Sequence, residues 1–286
     1  MQINRKNSFL ILTIVYLLAT AAGIAVYVLI PTQVGTWLKL LLADIAATVV
    51  TFAFSVGLKN ASVYDPYWSV APIVIVCAFL CAAEISAAKI LIVIAVIVWG
   101  IRLTANWAYT FHGLAHQDWR YTMLKEKTGR AYPLINFLGI HLVPTLVVYG
   151  CILPAVWTLE GMPETNAGTV IFFLTALGAA ALQGVADCQM HVFRKRGAGG
   201  FIRTGLWKYS RHPNYLGEIL MWWSVAFFAV CSLGFAWHYL VGTIANTCLF
   251  LFVSIPMADN RQSRKLGFEE YKKQTRMLLP VYKKQG

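Results

Sequence analysis

Gly205-Leu206-Trp207-Lys208-Tyr209-Ser210-Arg211-His212-Pro213-Asn214-Tyr215-Leu216-Gly217-Glu218 runs without a break into the apolar stretch Ile219 to Cys231. An Arg, a His, an Asn and a Glu thus stand at the very edge of a hydrocarbon-rich segment. Pro213 fixes its own φ and biases His212 toward extended backbone, which predicts a helix starting at or just after the proline. Asn214 and Glu218, four residues apart, then share a helical face. A helix N-terminus beside Arg211 and His212 also suits an anion such as a phosphate. The plainer alternative is a basic juxtamembrane loop followed by an interfacial aromatic belt. It accounts for Trp207, Tyr209 and Arg211, but not for Asn214 and Glu218.

Working outward, the whole chain is of this apolar kind. Hydrophobic residues make up 58% of it and charged residues 13%, with a mean hydropathy of +0.62, outside the range of ordinary soluble domains. Runs long enough to cross a bilayer recur at 9–30, 36–58, 67–84, 88–111, 134–157, 168–193, 216–232 and 235–256. The expected fold is all-α: a polytopic membrane helical bundle of about eight transmembrane helices. No soluble domain remains between the spans. Residues 1–286 read as one integral membrane domain, with N-terminal helices over 1–59 and a core over 60–286. The first run is too long for a signal-peptide core and is read as retained.

A net charge of +12 invites a nucleic-acid reading, but the distribution argues against it. Apart from Lys39, Lys89 and Arg102, every Lys and Arg falls in segments on one side of the predicted spans. Such asymmetry is the positive-inside rule, with both termini cytoplasmic and anionic lipid as the partner of the excess charge. The six Cys lie in apolar runs without metal-ligand spacing, so they are expected as small buried hydrophobes, and no metal site is predicted.

Several polar residues stand out along the chain. Asp44 falls near the outer end of its span, where water is expected to reach it, and reads as structural. Asp65-Pro66-Tyr67-Trp68 is either an ordinary helix start or a carboxyl and a phenol at the inner mouth of a cavity. Arg102 sits two to three turns inside its span, a depth at which a charge normally faces the bundle interior, although snorkelling is open to so long a side chain. Asp118 and Arg120, flanked by aromatics, form either a solvated ion pair or part of a roof over a cofactor. Gln183, Asp187, Met190 and Arg194 share one helical stripe pointing at a polar ligand. A glycine-rich basic loop, Arg194 to Gly200, follows it. After 260 a basic tail with Leu266, Phe268, Tyr271, Met277 and Leu278 is expected to fold back on the cytoplasmic surface. The charge count alone gathers these groups on one membrane face, predicting a cytoplasm-facing pocket for a phosphate-bearing ligand that opens toward lipid for an apolar one.

The stretch 205–218 resembles the signature of the steroid 5α-reductase C-terminal-domain superfamily, and is closest to its bacterial multipass branch. Supporting marks are Asp65 with Trp68, Trp99-Gly100-Ile101-Arg102-Leu103, Asp118-Trp119-Arg120-Tyr121, Asp187 with Gln189 and Phe193, and the ending Tyr271 to Pro280. The resemblance implies NADPH held at the cytoplasmic side, and the compact loops suit a bacterial inner membrane. Its contacts would carry over to Asp187, Arg194, Asn214 and Glu218, with Gln183, Arg211, His212 and Tyr215 beside them. Asn260 stands where the reductases carry a residue near the cofactor. Asp65, with Tyr64 or Tyr67 beside it, stands near the family's oxygen-polarising acid and tyrosine, and Asp65, Tyr67 and Arg102 make up the candidate catalytic set. The implied activity is reduction of a carbon–carbon double bond conjugated to a ketone in a lipophilic, steroid- or sterol-like substrate. Two other readings stay open: a methyltransferase using S-adenosylmethionine, since isoprenylcysteine carboxyl methyltransferases share a similar Arg-His-Pro stretch, and a lipid-binding protein without catalysis.

Overall fold

The computed structural model describes residues 4–197 and 199–279. Among them every regular element is helical, and eight helical stretches are long and apolar enough to cross a membrane. The protein is an all-helical, multi-pass membrane protein. Its main elements are α1 (Arg5–Leu29), α2 (Thr36–Gly57), a 3₁₀ turn (Ala61–Tyr64), α3 (Tyr67–Ala82), α4 (Ala87–Thr110) and α5 (Trp119–Thr128). Then come α6 (Tyr132–Ile135), a π-helical segment (Asn136–Leu142), α7 (Val143–Glu160), α8 (Ala167–Lys195) and α9 (Pro213–Leu233). The chain closes with α10 (Val241–Leu249), a second π segment (Phe250–Ser254), α11 (Ile255–Gln262) and α12 (Phe268–Gln274). Each predicted span finds its helix, and α9 begins at Pro213 as the proline requires.

The chain divides into two compact units: Met1–Ile75 with Leu103–Leu153, and Val76–Arg102 with Pro154–Gly286. In the first, α1 packs on α2. The buried face of α1 is Ser8, Leu12, Val15, Ala19 and Gly23, a three-to-four-residue spacing that makes one seam. A Cβ on Gly23 would meet the Ala43 carbonyl oxygen at 3.2 Å, so the small residue is what lets the two backbones approach. Asn4 caps α1 by accepting from the Asn7 amide.

In the second unit α8 packs on α9. The buried residues of α8 are mostly alanines, and Gly217 of α9 faces them. At the far end Asn166 and Thr169 form a capping box, and the Asn166 amide also donates to the Cys231 carbonyl at 2.7 Å. One expectation is corrected here. Cys81, Cys188 and Cys248 are exposed on helix surfaces rather than buried. An apolar run does not distinguish a lipid-facing side chain from a core one, because hydrocarbon suits both. The tail residue Leu266 is fully exposed, whereas Phe268 and Tyr271 are buried against Phe201, so the tail docks on protein through two aromatic residues.

A buried polar network and a clamped signature loop

The polar stripe of α8 meets α4 and α9 in one connected network. Arg102 pairs with Asp187 at 2.9 Å and also donates to the Gln183 side-chain oxygen. The Gln183 amide donates to Glu218 at 3.0 Å. Two indoles complete the carboxylate's shell: Trp99 donates to one oxygen at 2.8 Å and Trp222 to the other at 2.9 Å. Gln183 and Glu218 are buried, and Arg102 and Asp187 nearly so. Arg102 therefore faces the protein interior. Burying such groups is tolerable only because each has partners, and the network supplies them.

Helix spacing explains why these residues meet. Gln183 and Asp187 are one turn apart on α8, and Asn214 and Glu218 one turn apart on α9. Gly217 lets the two helices close: an added Cβ would stand 2.5 Å from Gln183 Cγ and 2.8 Å from the Ala179 carbonyl oxygen. Asn214 lies within hydrogen-bonding range of Asp187. Two buried atoms at this end have no protein partner, Arg102 Nε, a donor, and Asn214 Oδ1, an acceptor.

Arg211 and His212 belong to a second arrangement. Both reach Asp259 of α11: Arg211 Nη2 at 3.0 Å and His212 Nε2 at 2.9 Å, one on each carboxylate oxygen. Arg211 also donates to the Thr275 carbonyl at 2.6 Å and the Lys272 carbonyl at 3.3 Å, and its amide to the Arg276 carbonyl at 2.9 Å. The Tyr271 hydroxyl donates to the Trp207 carbonyl. Burial pushes that phenol's pKa upward, which keeps it protonated and donating. The Tyr215 ring stacks on His212 at 5.2 Å and meets Phe250. The signature loop is thus a clamp that holds the tail. Its first glycine, Gly205, has φ +62° and lies directly against Gln189, whose side-chain oxygen accepts from the Leu206 amide.

Asp259 carries this clamp, whereas its neighbour Asn260, the residue the sequence singles out, is exposed. An acid at the end of the last apolar run was the available signal. Arg194 is exposed at the end of α8. Nearby, burial first and then the like charges of Arg261 and Arg194 draw the Lys265 ammonium below its ordinary pKa.

The first unit holds the remaining candidates. The Asp65 carboxylate accepts from the Tyr121 hydroxyl at 2.5 Å. Asp118 caps α5 by accepting from the Arg120 amide at 2.9 Å and pairs with the Arg120 side chain at 2.8 Å. Its own amide donates to Ser62. Tyr67 turns elsewhere and donates to Asp44 at 2.7 Å. Asp44 is only 8% exposed, which corrects its expected contact with water: the segment Ala61–Tyr64 is itself buried, so the aromatics that follow reach far along α2. The phenol beside Asp65 is accordingly Tyr121, not Tyr64 or Tyr67.

The fold and this polar interior define a multi-pass helical membrane protein with buried charge networks. The chain belongs to the family described as "Protein of unknown function (DUF1295)", whose model matches residues 51–275 and so takes in Arg102, Gln183, Asp187, Glu218 and Asp259. It is similar to "Uncharacterized protein C594.04c" of Schizosaccharomyces pombe, with 27% identity over 278 residues covering 84% of this chain and 75% of that protein. No solved structure matches.

Proposed function

We propose that the protein is a membrane-embedded, NADPH-dependent reductase of an enone in a lipophilic, steroid- or sterol-like molecule. The observation that carries this reading is the unpartnered pair beside Asp187, the donor Arg102 Nε and the acceptor Asn214 Oδ1. A carboxamide, which offers both an acceptor and donors, is complementary to that pair. The exposed Arg194 lies two turns further along α8, with Lys265 in its field, and suits a phosphate. The resemblance of 205–218 to the steroid 5α-reductase superfamily supports the same assignment.

Within this reading the polar groups of Gln183 and Glu218 are satisfied inside the network, while Arg211 and His212 hold Asp259 and the tail. These four act as positioning residues. Direct ligand contacts fall to Arg102, Asp187, Asn214 and Arg194. NADPH, when bound, supplies the hydride.

The test is thermal unfolding in detergent with NADPH, NADH or S-adenosylmethionine. A ligand at a hundredfold its Kd stabilises by about 2.7 kcal/mol if it binds only the folded state. Stabilisation by NADPH is expected, and Arg194→Ala should weaken NADPH well beyond NADH. A response to S-adenosylmethionine alone would replace the reductase with a methyltransferase, and equal loss for both nicotinamides would remove the 2′-phosphate contact.

A further inference from the structure

The first unit contains polar atoms that none of the foregoing uses. His141, in the π-helical segment Asn136–Leu142, is 0% exposed. Its Nδ1 stands 2.9 Å from the Asn136 carbonyl oxygen. A carbonyl only accepts, so Nδ1 bears the proton, and in the neutral ring Nε2 is left as an acceptor. Nε2 has no protein partner. Neither has the side-chain oxygen of Asn136, 5% exposed, nor the hydroxyl of Ser55, 1% exposed. Three such orphans are costly, since each forgoes a bond it would make in water.

They also share one interface. The π segment packs on α2, where the Phe52 ring meets Phe137 at 4.9 Å and His141 at 5.3 Å. Ser55 follows Phe52 by three residues and so lies on the same face of α2. The Tyr64 ring covers His141 at 4.8 Å, but its hydroxyl is committed to Thr145 at 2.8 Å. The rings that wall His141 are therefore aromatic and apolar, and its free ring nitrogen is an acceptor. A π segment in a spanning helix is itself a costly irregularity, of the kind found at functional sites.

We infer that this segment binds a lipophilic molecule through a hydroxyl group, which donates to His141 Nε2. The walls favour a hydrocarbon body, and the acceptor requires a donor. An ether, ester or ketone has none, and an ammonium would bring an unpaired charge into hydrocarbon. The Ser55 hydroxyl can in turn donate to the ligand's oxygen. None of these residues is among the proposed nicotinamide contacts on α4, α8 and α9, so the inference stands or falls independently of them.

The experiment is NMR of the histidine ring nitrogens in the full-length, isotope-labelled protein in detergent, with the His141 signal assigned by its loss in His141→Gln. Decanol should move the Nε2 resonance saturably toward its hydrogen-bonded position, and decyl methyl ether should not. Ser55→Ala should raise the decanol concentration needed by about tenfold, the effect of one lost hydrogen bond. An Nε2 signal already hydrogen-bonded before decanol, and unmoved by it, would make this a water site and overturn the inference. Equal responses to decanol and the ether would reduce it to apolar packing.

Discussion

At the scale of single residues, the second unit rests on Gly217 and Arg102. Alanine at 217 drives a methyl group into Gln183 and the α8 backbone. Overpacking of this kind costs about 1–3 kcal/mol, which should appear as a lowered Tm in detergent. An unchanged Tm would mean that α8 and α9 can part without penalty. Arg102→Met leaves Asp187 and Glu218 without their cation, and breaking a buried pair from one side costs about 3–5 kcal/mol. Adding Asp187→Leu should restore part of that loss. Full additivity of the two changes would show that the pair is not coupled. The polar residues of this network could be read in the sequence because each is improbable inside hydrocarbon. That Trp99 and Trp222 would donate to Glu218 could not, since an indole in an apolar run reads as packing.

At the scale of elements, the signature loop and the tail form one unit through Asp259. Asp259→Ala removes the acceptor shared by Arg211 and His212 and leaves two cationic or donor groups facing each other. The tail over 264–279 should then be cleaved faster by limited proteolysis, with the spanning helices unaffected. Unaltered protection would assign the docking to Phe268 and Tyr271 alone. The loop was recognised from sequence, but its partner was not. Arg211 and His212 suggest an anion, and an acid far along the chain is as good an anion as a phosphate. Separation in sequence hid it.

At the scale of the whole molecule, the eight spans and the one-sided basic residues predict both termini in the cytoplasm. A fluorescent protein fused after the C-terminus should glow in a bacterial host, and a periplasmic phosphatase fused there should be inactive. Phosphatase activity would invert the topology.

The sequence by itself determined the class of fold, the number of spans and most of their ends, because a helix in lipid must be apolar along its length and satisfy its own backbone. It also marked Arg102, Gln183, Asp187, Asn214 and Glu218, since polar groups in such helices demand a reason. Only the tertiary structure decided the pairings: Glu218 with two indoles, His212 with Asp259, Tyr67 with Asp44, and Asp65 with Tyr121. Periodicity fixes the face a residue occupies on its own helix. Which helix lies opposite depends on side-chain packing, and within hydrocarbon one apolar surface is much like another until small residues such as Gly23 and Gly217 admit a particular neighbour.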